Sequence, residues 1–417
     1  MDIVILDAHP EEDGRIKRHV KYLLDQGLGV YRINYNYRDE SAKPGVFSQL
    51  GEKGFRINVL NAQSKIKILY HLIYRLRGKR LAECLKALET LNFDPVPPSI
   101  VHVHDPQLLP LAGMLVKKNL FNSKIVYDRH EVYEKLTPHS GIPVNVNPIY
   151  EKITKNSISG VVTVSEHHVG MTHKLFPKQR IVTVPNYPMS TVYDKSVINN
   201  KILSLDSRSL INAIYVGSLN SLLDRDVDLL IKIADNMLQI YSNVRFIVGG
   251  TNLDTQSRSK FDDLSRKYDG RFQFLGYVSR EKTIELTQKA HIGFFLLRPD
   301  THYWVKASPN KVFEYLMCGV VPIIRADVDH SDALRRCSLI FSRSDDDKVI
   351  IKAVLDLLGN PEGLKEYMGK ARDLSINYTW ESVADRYVEL YNTLLYPEIG
   401  TKPSIGESPL LPRDAGA

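Results

Sequence analysis

Short runs of β-branched and aliphatic residues recur along the chain, each followed by a helical stretch, and the alternation restarts after one polar interval. The first series comprises residues 3–6, Val30–Asn34, Ile100–His104, Lys124–Asp128, Gly160–Val164 and Ile181–Asn186. The second comprises Ala213–Val216, Val244–Gly249, Phe272–Leu275, Ile292–Leu297, Val320–Ile324 and Leu339–Phe341. Runs of this length without polar alternation read as parallel strands buried on both faces. Helical stretches lie between them, one from Ile16 to Gln26 ended by Gly27 and Gly29, another from Gln107 to Lys118. Strands alternating with helices give a doubly wound α/β sheet. The polar interval, Tyr187 to Leu210, reads as a connection, so the chain is expected to fold as two such domains. Ligands of open α/β sheets bind beyond the carboxyl ends of the strands, and two facing domains leave a cleft there.

The expected division is a first domain over 1–190, a linker over 191–210, a second domain over 211–376, a helix over 377–396 and a disordered tail over 397–417. The tail is rich in Pro, Gly and Ser and has too little apolar surface to order itself. The 417 residues are 43% hydrophobic and 25% charged, values of a soluble globular protein. A net charge of +7 allows an acidic partner without selecting one. Cys84, Cys318 and Cys337 lie far apart, without metal-ligand spacing, and fit a reducing cytoplasm. The start, Met1-Asp2-Ile3-Val4, is too short and acidic for a signal peptide, and no run is long and apolar enough to span a bilayer.

Chemistry-bearing residues cluster where strands end. Ser308-Pro309-Asn310-Lys311 opens a helix carrying Glu314, and the strand Val320–Ile324 follows. Ser308 is the expected N-cap and Pro309 suits the first turn. Free amides at a helix start, with the Lys311 cation, make an anion site. Glu314 lies one turn on, placed to accept hydrogen bonds from hydroxyls. In the first half, His104-Asp105 and Asp128-Arg129-His130-Glu131 each follow a strand. His9 to Ile16 joins the first strand to the first helix; Gly14 permits close backbone approach, and Arg15 and Arg18 suit an anionic ligand. His102 and His104 share one strand face, but no third ligand is evident, so no metal is expected.

The order of these segments resembles retaining glycosyltransferases of the GT-B fold, glycosyltransferase family 4, over residues 3–395. The resemblance rests on the "SPNK" loop, the "HD" and "DxHE" loops at His104 and Asp128–Glu131, Val184-Pro185-Asn186, Gly249-Gly250 after Phe246-Ile247-Val248, and Phe274-Leu275-Gly276-Tyr277-Val278. It implies two Rossmann-like domains facing a cleft, with a C-terminal helix crossing back to the first domain and Trp380 anchoring the crossing. It implies donor binding by Gly217, Arg225, Gly249, Gly250, Tyr277, Ser308, Pro309, Asn310 and Lys311, catalytic roles for His130 and Glu314, and an acceptor side built by Gly14, Arg15, His104 and Asp105. Three residues depart from the pattern: Ser218 where relatives carry Arg, Asp226 where a glycine follows the cation, and Lys306 in place of the first of two glutamates.

The activity so implied is transfer of a hexose-like sugar, with retention and without metal or cofactor, from a nucleoside diphosphate to a hydroxyl of a glycan or lipid-linked acceptor. A sugar-nucleotide 2-epimerase of the same architecture and a catalytically silent GT-B partner subunit remain as alternatives. The basic stretch Lys65–Arg80 suits either peripheral contact with an anionic membrane or a solvated helix. No nucleic-acid-binding fold is recognisable. The expected location is the cytoplasm, including the inner face of its membrane.

Overall fold

A computed structural model describes residues 1–10, 13–36, 43–58, 78–93, 99–104, 106–117, 123–135, 146–221, 224–299 and 308–397. Asp105, Lys306, most of the basic stretch and the tail beyond 397 lie outside the described residues.

The strands assemble into two sheets. The first holds β1 (Asp2–Asp7), β2 (Gly29–Asn36), β3 (Gly45–Phe47), β4 (Lys53–Asn58), β5 (Ser99–Val103), β6 (Ser123–Arg129), β7 (Gly160–Thr163) and β8 (Arg180–Thr183). Their order is β3-β4-β2-β1-β5-β6-β7-β8, parallel except where β3 meets β4. The second holds β9 (Ile211–Val216), β10 (Val244–Gly249), β11 (Phe272–Phe274), β12 (Ile292–Leu296), β13 (Val321–Arg325) and β14 (Leu339–Phe341), all parallel, in the order β11-β10-β9-β12-β13-β14. In each sheet the chain winds outward, then returns to start again on the other side of its first strand. The reversals fall between β1 and β5 and between β9 and β12, and ligands of doubly wound sheets bind at such points.

The helices bury one face each. In the helix Gly14–Asp25 that face is Arg15, Ile16, His19, Val20 and Leu23, a 3.6-residue period carrying two polar residues. Asp13 caps it, accepting from the amides of Arg15 and Ile16 at 2.9 and 3.1 Å. The polar interval read as a linker contains the helix Lys195–Leu203, capped by Asp194. Its Ile198 and Ile202, with Leu205, pack into the core of the second sheet. Four-residue spacing of those isoleucines is a helical signal that the surrounding Lys, Asn and Ser residues obscure.

One apolar core runs from the first sheet into the second domain. It includes Ile3, Ile5, Ile100 and Val126 from the first sheet, Phe313, Leu316 and Val328 from the second domain, and Trp380, Tyr387 and Leu390 from the C-terminal segment. Full burial of each aliphatic or Phe side chain stabilises by about 1.5–3 kcal/mol, so this shared core binds the two halves to one another. The C-terminal helix Asp385–Leu395 crosses back to the first sheet. A Cβ on Gly160 would stand 2.9 Å from Leu394 Cδ1 and 3.1 Å from Leu390 Cδ1, so the helix sits close on β7 and a side chain there would push these leucine methyls back. The crossing is pinned where Trp380 N donates to Pro188 O at 2.9 Å and Arg386 Nη1 to Thr183 O at 2.7 Å.

Candidate active site

The loops after β1, β5 and β6 meet the buried face of the helix Gly14–Asp25 and the C-terminal helix, and a polar network fills the junction. Asp128, at the end of β6, is fully buried. It accepts from Arg15 Nε and Nη2 at 3.1 and 2.8 Å and from Tyr387 OH at 2.8 Å. Arg15 Nη1 also donates to Val184 O at 2.9 Å. Burial alone would raise the Asp128 carboxyl; the Arg15 guanidinium and the nearby imidazoles hold it well below the usual carboxylate range. Around it stand His102 at 3.7 Å, His104 at 3.4 Å and His130 at 3.6 Å. Burial pushes His19 and His104 well below the ordinary imidazole value, with the neighbouring His102 adding to it. These rings are neutral at neutral pH. Of the four imidazoles only His130 has side-chain surface toward solvent, at 16%.

The second domain presents a cradle at its own reversal point. Gly217 follows β9 with φ +152°, and a Cβ there would stand 2.3 Å from Lys311 Nζ. A Cβ on Gly250 would stand 2.1 Å from Gly217 O, and one on Gly249 2.6 Å from Val278. These three glycines let the turns after β9, β10 and β11 close together: Gly217 N donates to Gly249 O at 2.9 Å and Gly250 N to Gly276 O at 2.7 Å. Lys311 opens the helix Asn310–Met317, whose start is Pro309 and bears no side-chain cap. Helix-start amides without a capping oxygen favour an anion.

Lys311 Nζ lies 4.2 Å from the centre of the Tyr215 ring. Desolvation, reinforced by the charge of Arg225, brings its ammonium down to about 7. Arg225 comes from the loop after β9, stacks 5.3 Å over Phe295 and pairs with Asp224 at 2.9 Å. Arg225, near enough to depress the Lys311 ammonium, and an uncapped helix start together favour an anion such as a diphosphate at this point. Tyr277, beyond β11, holds its ring 79% exposed, open to stacking by a planar base.

The halves meet electrostatically between these centres. Glu314 Oε1 accepts from Arg280 Nη1 at 2.5 Å. Arg18, on the first helix, hydrogen-bonds Asn186 and stacks 5.2 Å over Trp380. Burial lowers its guanidinium to about 10, as do the like charges of Arg15 and Arg280, while Glu314 works in the opposite direction. Glu314 of the second domain therefore acts on a first-domain cation across the junction.

Residues 211–360 match the family model described as glycosyl transferases group 1. Solved structures share the architecture over nearly the whole chain. A sucrose-phosphate synthase from Thermosynechococcus elongatus superposes with a TM-score of 0.69 at 14% identity, covering 94% of this chain and 99% of that one. The chain has the GT-B fold. A trehalose-6-phosphate protein from E. coli, bound with UDP-2-fluoro glucose, gives 0.61 at 11% identity over 94% and 99% of the two chains. An α,α-trehalose-phosphate synthase from Burkholderia xenovorans, in complex with glucose-6-phosphate, gives 0.62 at 13% over 93% and 99%. No curated protein sequence matches the chain.

The second domain brings Gly217, Gly249, Gly250, Lys311 and Arg225 together, with Asn310 at the helix start and Tyr277 at the end of the neighbouring strand β11. Ser308 is not the cap: Pro309 takes that position, and Ser308 lies one residue outside it. Asp226, a departure from the family pattern, caps the helix Val227–Ile240 through Leu229 N at 2.8 Å and pairs with Arg325, which accounts for it structurally. On the first domain, Gly14 is exposed at the start of its helix. Arg15 and His104, expected on the acceptor side, are buried instead. Arg15 is fully committed to Asp128 and Val184, and His104 lies between His19 and His130, so neither has a face to offer an acceptor. His19, Tyr387 and Tyr391 belong to the network and were not legible as site residues. Their signal is polar residues at i and i+4 on the buried face of an amphipathic helix, which reads as ordinary core or surface.

Proposed function

We propose that the protein is a retaining, metal-independent hexosyltransferase that moves a sugar from a nucleoside diphosphate to an acceptor hydroxyl in glycan or glycolipid assembly. The observation that carries this reading is the convergence of Lys311 and Arg225 over the glycine floor at Gly217 and Gly250, beside the uncapped start of the helix Asn310–Met317. That cradle suits a diphosphate, whose leaving charge it would stabilise without a metal. The UDP-2-fluoro glucose bound to the E. coli relative supports a nucleotide sugar as donor.

With the diphosphate in the cradle, Glu314 lies one helical turn from it and accepts from donor-sugar hydroxyls, while His130 faces the sugar from the first domain. The anomeric carbon–oxygen bond to the diphosphate breaks and a bond to the acceptor oxygen forms on the same face. The acceptor proton passes to a leaving phosphate oxygen. Positioning and charge stabilisation are then the protein's main contributions. Ionic sites at the junction and the glucose-6-phosphate held by the Burkholderia xenovorans relative support a hydrophilic, oxygen-rich acceptor. Three free, buried cysteines support a cytoplasmic setting. Contact with an anionic membrane surface through the basic stretch Lys65–Arg80 is part of the same reading.

A panel of nucleoside diphosphates and their sugars tests it by thermal shift, followed by sugar-transfer assay with the stabilising donor in EDTA. The expected result is a raised melting temperature with one nucleotide family and transfer that survives chelation. Interconversion of two donor sugars would identify an epimerase instead, and binding without turnover a silent subunit.

A further inference from the structure

A cavity of about 310 Å³ opens at the amino ends of the second sheet's strands. The donor cradle lies at the other end of the same sheet, beyond the carboxyl ends of β9 and β10. The cavity floor holds Asn212, the second residue of β9, and His291, the residue before β12. Val197 and Lys201 come from the helix Lys195–Leu203, and Leu205 and Leu210 from the turn that leads into β9. The volume is at the small end of the range for ligand pockets.

Three polar groups of this cavity have unmet bonding capacity. Lys201 Nζ donates to Ala290 O at 2.5 Å and to Cys318 O at 2.7 Å, the residues that end the helices Arg280–Lys289 and Asn310–Met317. An ammonium has a third N–H, and among the described residues neither an acceptor nor a carboxylate pairs with it. Burial brings Lys201 down to about 7, a value that an anion in the cavity would raise. His291 is 6% exposed, and its Nδ1 accepts from Asn212 N at 3.0 Å. A backbone amide can only donate, so Nδ1 carries no proton. Burial and the Lys201 charge bring the imidazole down to about 3. The ring is therefore neutral with its proton on Nε2, a donor without a partner among the described residues. Asn212 Nδ2 donates to Lys289 O at 3.1 Å, which fixes the orientation of the amide. Its Oδ1 is left buried with no donor.

Two donors and one acceptor thus line one cavity. An anionic group satisfies the N–H groups of Lys201 and His291, and a hydroxyl satisfies Asn212 Oδ1. Val197 and Leu210, 38% and 43% exposed, leave apolar surface at the rim for a carbon skeleton. Water can hydrogen-bond each polar group, but it gives Lys201 no counter-charge. We propose that this cavity is a second ligand site, separate from the donor cradle, for a small hydroxylated anion such as a sugar phosphate or a sugar acid.

Calorimetric titration of the full chain with glucose, inorganic phosphate, glucose 6-phosphate and gluconate tests it without any transfer reaction. Glucose supplies hydroxyls alone and phosphate an anion alone. Glucose 6-phosphate or gluconate is expected to bind about tenfold or more tightly than either, the scale of one hydrogen bond to a charged group, and the better of the two tells phosphate from carboxylate. Lys201→Met and Asn212→Leu are each expected to weaken that binding about tenfold. Lys311→Ala should leave it unchanged, which separates this cavity from the diphosphate cradle. Val197→Trp fills the cavity mouth from an exposed position, is expected to abolish binding, and serves if neither of the other cavity variants folds. No preference for the hydroxylated anions, affinity retained in the cavity variants that fold, or affinity lost with Lys311→Ala would each overturn the proposal.

Discussion

Lys311 Nζ occupies the space a side chain on Gly217 would need: a Cβ there would stand 2.3 Å away. The lysine and the turn after β9 are thus built as one surface. Lys311 ends in a flexible amine that the new Cβ would displace, and φ +152° strains any side chain at this position, so Gly217→Ala is expected to weaken nucleoside diphosphate binding and also to lower the melting temperature. At Gly250 the strain is steric instead, because its Cβ would meet the Gly217 carbonyl at 2.1 Å, which is backbone and cannot step aside. Thermal melts and calorimetry check the pair: a lowered melting temperature in both variants, and lost affinity in folded Gly217→Ala.

The depressed Lys311 ammonium sets a pH dependence. Its value in the free site is about 7, and a bound diphosphate favours the charged form and raises it. Between those two values binding takes up a proton, so affinity falls as pH rises, by up to about tenfold per pH unit. Calorimetric Kd values for a nucleoside diphosphate from pH 7 to 9 are expected to show this decline, and Lys311→Met to flatten it.

Most of the strand framework follows from sequence pattern because buried parallel strands are written as unbroken apolar runs. β3 and β4 escape that reading: Gly45–Phe47 is too short, and Lys53–Asn58 alternates charge with apolar residues around Gly54, which packs against Phe47. The cradle was legible because glycine, lysine and helix-start residues occupy fixed offsets from strand ends. The network around Asp128 was not. Arg15 and His19 are charged or polar residues on a buried helix face, and only the tertiary approach of β5, β6 and the C-terminal helix supplies their partners. Arg15 illustrates the limit: its position beside the cleft loop suggests a ligand contact, while Asp128, 113 residues away, claims it.

Asp128→Asn tests that buried pair. It leaves the Arg15 charge without its counterion, at a cost of about 3–5 kcal/mol, read from denaturant unfolding. The sign with pH follows from the depressed carboxyl. Its contribution is complete above the unfolded-state value near 4 and is lost only as pH falls through the lower folded value. The difference between wild type and variant should therefore hold constant from pH 7 to 5 and shrink only below that window.

Glu314→Gln preserves shape while removing the charge that pairs with Arg280 at 2.5 Å and accepts from donor hydroxyls. A hydrogen bond to a charged group contributes roughly 1.5–3 kcal/mol. Turnover of the nucleotide sugar is expected to fall tenfold or more, with nucleotide affinity and melting temperature close to wild type.

The most direct test of the account is calorimetric titration of nucleoside diphosphates into the wild type, Lys311→Ala and Arg225→Ala. The wild type should bind one of them. Lys311→Ala should weaken it more than Arg225→Ala, since Arg225 already shares its charge with Asp224 at 2.9 Å. Equal affinity in all three proteins would contradict the diphosphate cradle and the transferase reading built on it.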